Sequence, residues 1–403
     1  MFGHDFHRRI AAAALLTGLA VLPATRASAV DFQTLYTFTN GDDGAEPTGK
    51  LIYNKKIIFG TTSGANGGTG TIFAYDLGTQ QFDTIYAFSG GSDGAEPVDG
   101  VVLKKGVLYG TTSLGGAADY PAGFGTVYAY DLDKEELSPL HTFSGGGDGA
   151  KPTGSLILRK GTLYGTTPEG GVAEGCDNLG CGTVFSLATK SGDFNTLYQF
   201  PADATEGWFP TAGVTLNKGV LYGTTSTGGI IDGSLADGTV FALSGNTIDT
   251  LYTFSGQDGA DPNGTLVYSK GKLYGTTAAG GTGGPSCTEG CGTIFAIDLS
   301  TGSISILHNF AQTDGRTPRG GLLMHKGKLY GVTLGGGSGD CEVGCGTVYE
   351  FDLKSGTLTT LYNFSGGADG WNPSAGLIQV KGTFYGTTAL GGSGFGTLFS
   401  IKP

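Results

Sequence analysis

The sequence predicts an all-β chain folded as a seven-bladed β-propeller of four-stranded antiparallel blades, and three observations carry that prediction. The phrase Lys-Gly-x-Leu-Tyr-Gly-Thr-Thr recurs seven times, four of them unaltered and three with one to three substitutions, with its aromatic-Gly pair beginning at Phe59, Tyr109, Tyr164, Tyr222, Tyr274, Tyr330 and Tyr385. Its spacing of 50 to 58 residues is that of blade-sized repeat units. No stretch carries a helical period of apolar side chains, whereas short β-rich runs bounded by Gly turns recur throughout. The ends are complementary: a lone strand at residues 33–38 precedes the first full repeat, and only three strands fill residues 376–401. The N-terminal strand is therefore expected to complete the C-terminal blade and seal the ring, removing the open edges of an unclosed array.

One repeat shows why each element is expected. In residues 258–310, Asp258-Gly259-Ala260-Asp261-Pro262 is a turn, because Gly admits positive φ and Pro fixes the chain ahead of a strand. A first run (a) at 265–268 meets a second (b) at 272–277 through the tight turn Lys270-Gly271. A Gly-rich loop leads to a third run (c) at 292–297, and a turn at 298–302 to a fourth (d) at 305–310. The b–c loop varies in length, at 11, 16, 18, 16, 18, 16 and 11 residues from the aromatic to the next Gly-Thr. In a meander the b–c loops and d–a turns emerge on one face. Insertions in repeat proteins gather on the binding face, so a site is expected there.

Composition bounds the setting. Gly reaches 77 residues without a three-residue period, at fixed places in each repeat, which reads as turns. Residues 1–29 read as an export signal, with His7-Arg8-Arg9, an apolar stretch at 10–22 and the cleavage-like Ala27-Ser28-Ala29. Residues 30–403 are then the propeller, expected to be secreted or periplasmic and monomeric. Cleavage after Ala29 removes three arginines and one aspartate, which takes the formal charge from −12 to −14. Such a chain is expected to avoid nucleic acid and anionic membranes. No later apolar run is long enough to span a membrane.

From residue 35 to 402 the chain resembles the GloVer-type tandem-repeat family of exported bacterial proteins. The likeness rests on Leu-Tyr-Gly-Thr-Thr, on Gly182-Thr183-Val184-Phe185 and on the Leu-Tyr-x-Phe-Ser-Gly of residues 251–256. It implies a propeller and export, and brings no catalytic residues; the anchor that follows the repeats in many members is not expected here. The turns at 298–302 and 352–356 also look like those of quinone-cofactor propellers, but the Trp that group places in each repeat is missing.

Candidate chemistry is sparse. Seven acids open the d–a turns: Asp43, Asp93, Asp148, Glu206, Asp258, Asp314 and Asp369. Together they could bind a hard cation such as Ca²⁺; singly, each would accept backbone N–H bonds in its own turn, the reading their presence in every repeat favours. The cysteines fall in close pairs, Cys176/Cys181, Cys287/Cys291 and Cys341/Cys345, and export makes local disulfides the expectation. Trp208 and Trp371 stand where most repeats have Ala, and with Tyr120, Phe124 and Arg316 they could stack on or grip sugar rings; the other reading packs each Trp flat against its neighbouring blade. Asp119, Asp232, Asp237, Arg316 and Arg319 break the repeat pattern. Gly90-Gly91-Ser92-Asp93-Gly94 matches a nucleophile elbow but lacks the helix that motif needs, and the three histidines after residue 29 have no ligand spacing. The expected function is a non-catalytic binding or surface-interaction propeller, with extracellular glycan or a surface protein as ligand. The alternatives are a polysaccharide lyase or hydrolase using loop-face carboxylates, and a purely structural envelope protein.

Overall fold

A computed structural model describes residues 30–64, 68–117, 121–171, 176, 179–282 and 287–403. The expected export signal lies outside them, as do Asp119 and Tyr120. Seven four-stranded antiparallel sheets form the propeller. Blade 1 comprises Ile52–Asn54, Ile57–Thr62, Thr71–Asp76 and Gln81–Ala87 as strands a to d, and the next five repeat that order. In blade 7, Ile378–Val380, Thr383–Thr388 and Thr397–Lys402 are joined by Asp31–Thr37 as outer strand, paired antiparallel from Asp31–Lys402 to Thr37–Thr397. The ring closes as the complementary ends predict.

The repeated phrase is a packing instruction. Its Gly lets strand b approach the Phe of strand c: a Cβ on Gly165 would lie 2.6 Å from the Phe185 ring, and Phe185 is fully buried. Its second Thr bonds the Thr that opens strand c, as Thr167 does Thr183 at 2.8 Å, in all seven blades. Both hydroxyls are buried, so each satisfies the other. The apolar core is divided among clusters between neighbouring blades.

The a–b turns have φ above zero at both central residues, as two-residue hairpins require. Lys160 has φ 51° and Gly161 φ 92°, and the first position is Lys in every blade, with φ between 48° and 52°. An L side chain in that conformation costs about 1 kcal/mol, which Asn or Gly would largely avoid.

Two details escape the sequence pattern. An extra hairpin, Ile230–Ile231 with Ser234–Leu235, rises from the b–c loop of blade 4 with Asp232 in its turn. In blade 6, strands a and b lengthen to Arg316–His325 and Lys328–Gly335, because Pro318 and Arg319 pair with Thr333 and Val332 and so join the strands to a bridge that stands isolated in other blades.

Candidate functional site

The b–c loops and d–a turns share one face. Its seven acids are held within their own turns. Asp43 accepts from the Tyr36 hydroxyl at 3.1 Å, from the Thr39 backbone N–H at 2.8 Å and from the Thr39 hydroxyl at 2.7 Å. Asp93 and Asp369 repeat this with Tyr86 and Tyr362, and Glu206 and Asp258 accept from Tyr198 and Tyr252. His141 and His308 take the tyrosine's place toward Asp148 and Asp314, at 3.1 and 3.0 Å. Among the described residues, no group of three or more His, Cys, Asp or Glu is placed to hold a metal ion.

Burial pushes the His141 imidazole below its ordinary pKa, and the Asp148 carboxylate opposes that shift only in part. A depressed histidine contributes stability above its unfolded pKa and loses it as pH falls through the folded value. His141 stacks on Phe194 at 3.7 Å just as Tyr36 stacks on Phe82 at 3.8 Å, so tyrosine fits the site. His141→Tyr should therefore raise the melting temperature by about 2 °C at pH 5 and by less at pH 8. Thermal melts across that range test it; a gain that shrinks toward acid would refute it.

The cysteines form the three expected disulfides, Cys176–Cys181, Cys287–Cys291 and Cys341–Cys345. They also account for the two tryptophans. Trp208 is half-buried against the cluster containing Cys176 and Cys181, and its Nε1 donates to the Pro201 carbonyl at 2.9 Å. Trp371 is half-buried against the cluster containing Cys345 and Cys341. The slot these residues share holds Ala45, Ala95, Ala150, Trp208, Ala260, Arg316 and Trp371 around the ring. A wide residue thus follows each blade that carries a disulfide, and Ala follows each blade that does not. Phe124 is 41% exposed, with its ring over Gly145.

A different set of departures gathers at the axis. The segment after each Pro is where neighbouring blades abut: a Cβ on Gly154 would lie 2.6 Å from the Gly213 nitrogen, and one on Gly320 2.6 Å from the Gly376 nitrogen. Two residues past the Pro, the blades carry Gly49, Asp99, Gly154, Ala212, Gly264, Gly320 and Ala375; three past it, Lys50, Gly100, Ser155, Gly213, Thr265, Gly321 and Gly376. Asp99 and Lys50 are the charged exceptions. Asp99 accepts from the Ser155 hydroxyl at 2.7 Å and the Lys50 backbone N–H at 3.5 Å, joining blades 1, 2 and 3. Lys50 keeps an exposed side chain although crowded by surrounding protein, as befits a wet axial opening. Burial holds the Asp99 carboxyl above and the Lys50 ammonium below its ordinary range, each opposed by the other's charge.

Across the ring, burial also raises Asp261, countered by the charge of Arg319 and a hydrogen bond from Asn263 at 3.3 Å. The hydroxyls here are unevenly satisfied. Thr61 donates to the Asp99 carbonyl at 2.9 Å and Thr166 to that of Ala212 at 2.8 Å. The corresponding hydroxyls of Thr224, Thr276 and Thr387 are buried without a partner, as are those of Thr211 and Ser374. Of the pattern-breaking residues, Arg319 reaches this ring, whereas Asp232 turns a hairpin and Asp237 borders the b–c loop of blade 4. Sequence reasoning missed Asp99 and Lys50, though the small-residue slots they interrupt are visible in the aligned repeats.

A family profile described as Gloeobacter/Verrucomicrobia repeat matches residues 21–174, 61–286 and 283–403. No functionally curated protein matches the chain. Among solved structures, an oligogalacturonate lyase from Vibrio parahaemolyticus is 10% identical with a TM-score of 0.50, covering 94% of each chain. An oligogalacturonate lyase in complex with manganese is 12% identical at 0.50, covering 92% of each. The extracellular domain of a one component system from B. thetaiotaomicron is 12% identical at 0.55, covering 91% of this chain and 40% of that one. At such identities the likeness is one of fold.

Proposed function

The chain belongs to the Gloeobacter/Verrucomicrobia repeat family, and from that premise we propose an exported binding propeller that holds hydroxyl-rich ligands, oligosaccharides, at the axial opening of its loop face. The carrying observation is the Asp99–Lys50–Ser155 group, set into a ring whose other blades hold small or neutral residues at those positions. A fold built from seven like blades needs no charge there. Carboxylate, ammonium and hydroxyl together offer acceptors and donors to sugar hydroxyls. Burial raises the Asp99 pKa and lowers that of Lys50, the kind of perturbation that clusters at functional sites. Export is supported by the leader-like residues 1–29 and by three disulfides, which persist in oxidising compartments.

The test uses substitutions that the fold already tolerates. Asp99→Gly and Lys50→Gly each install the residue found at that position in four of the other six blades. Binding to an oligosaccharide array, followed by titration calorimetry on the best ligand, should show affinity reduced about tenfold or more by either change, as expected for a lost charged hydrogen bond. The melting temperature should be unchanged, and EDTA should have no effect. Unaltered affinity in both variants would move the site elsewhere.

A further inference from the structure

We propose that the face opposite the loops is a docking site for the chain of an acidic polysaccharide, centred on the ring of lysines where the a–b turns surround the axis. Lys55, Lys105, Lys160, Lys218, Lys270, Lys326 and Lys381 occupy the first turn position of the seven blades, and all are exposed. The residue before them drifts freely, through Asn54, Lys104, Arg159, Asn217, Ser269, His325 and Val380. Lysine alone is kept, in a conformation with φ near 50° that asparagine or glycine adopts more readily. The fold makes no visible use of these side chains. No described carboxylate lies within 4.0 Å of any of the seven ammonium groups, since the ion pairs involve other residues.

Counted over four residues each, these turns carry twelve Lys or Arg and no Asp or Glu. The net charge conceals this segregation, because the carboxylates sit on the loop face and in the c–d turns. Six-residue strands put the two faces about 20 Å apart, well beyond a screening length of about 8 Å in physiological salt. A partner at the turn face therefore meets the lysines and is screened from the loop-face acids.

The shape of the positive region selects the partner. The surrounding c–d turns hold Asp76, Asp131, Asp133, Glu135, Glu136, Asp193, Asp298 and Asp352, so positive charge is confined to the centre, which suits a strand crossing the axis better than a flat anionic surface. A cavity of about 310 Å³ opens there, lined by Ile52, Val102, Leu103, Lys104, Leu158 and Lys160. Among the described residues the large exposed apolar side chains, Phe124, Leu179, Ile230, Leu235 and Val343, all belong to b–c loops. Near the turn face the tyrosines, Tyr53, Tyr268 and Tyr385, are half-buried, so the described residues offer bases no fully exposed ring of the kind that single-stranded nucleic acid stacks on. Compact ammonium charges without stacking partners fit the carboxylates of a uronic-acid chain.

The experiment compares alginate, neutral dextran and single-stranded DNA as probes for the purified propeller and a variant carrying Lys105→Asn, Lys160→Asn, Lys218→Asn and Lys270→Asn. Asparagine suits positive φ, so the variant should melt at or above the wild-type temperature. Wild type should bind alginate with an affinity that falls about tenfold between 50 and 300 mM salt as screening grows, whereas any binding of dextran should be insensitive to salt. The variant should bind alginate at least tenfold more weakly and lose the salt dependence, which separates this binding from that at the loop-face site. Alginate affinity equal in variant and wild type, or alginate binding as insensitive to salt as that of dextran, would overturn the proposal. Lysine-dependent binding of DNA without alginate would overturn it in favour of a nucleic-acid partner.

Discussion

A chain lacking residues 30–38 is expected to lose its cooperative melt and to aggregate. That segment is the outer strand of the last blade and touches both neighbours across the closure. Phe32 stacks on Tyr362 of blade 6 at 3.9 Å and on Phe399 at 5.5 Å. Tyr36 stacks on Phe82 of blade 1, and Phe38, fully buried, meets Phe73 edge-on at 5.4 Å. Truncating one such aromatic costs about 3–5 kcal/mol, so losing all three consumes most or all of the roughly 5–15 kcal/mol by which a domain is stable. The deletion also bares the edge of Thr397–Lys402 to pairing with other chains. Calorimetry and size-exclusion chromatography would decide. A truncated chain that stayed monomeric and melted within a few degrees of the full one would mean that closure contributes little.

Gly100→Ala is the second large effect. An added Cβ would overlap the Lys50 carbonyl oxygen and sit 2.7 Å from its carbon and 2.8 Å from its nitrogen. All three are backbone atoms of the adjoining blade, so no side chain can swing aside, and blades 1 and 2 must part at the axis. The expected loss is about 3 kcal/mol or more, at the upper end for overpacking. Gly367→Ala is the control. Its added carbon would meet nothing closer than the Ser365 hydroxyl at 3.5 Å, and its stability should stay within about 0.5 kcal/mol of wild type. Equal losses in the two variants would refute the steric account.

What could be read beforehand was whatever the chain repeats. The Gly of Tyr-Gly-Thr-Thr, the Phe of Gly-Thr-Val-Phe and the acid of each d–a turn recur because each blade solves the same packing problem, so seven copies betray the architecture. The closing strand was legible too, since counting strands exposes one missing partner. Residues that occur once are harder. Asp99 looks like any loop acid until its slot is known to lie where blades touch, and only then do six small neighbours make it an exception. Trp208 and Trp371 carry a relation of the same kind. They stood out as rare aromatics on a loop face, yet each packs against a cluster holding the preceding blade's disulfide, a relation between repeats that inspecting either one alone would miss.

That relation has a consequence for how such a ring can change over generations. Propellers arise by copying blades, and a copy slips in anywhere if all are interchangeable. Here the third and sixth blades each present a disulfide that the following Trp covers, and the remaining junctions without a disulfide are filled by Ala. A duplicate of an Ala-bearing blade inserted after the third would set a methyl where an indole belongs, leaving a hole beside Cys176–Cys181. The blades are therefore not interchangeable at these junctions, and the seven copies form an ordered series.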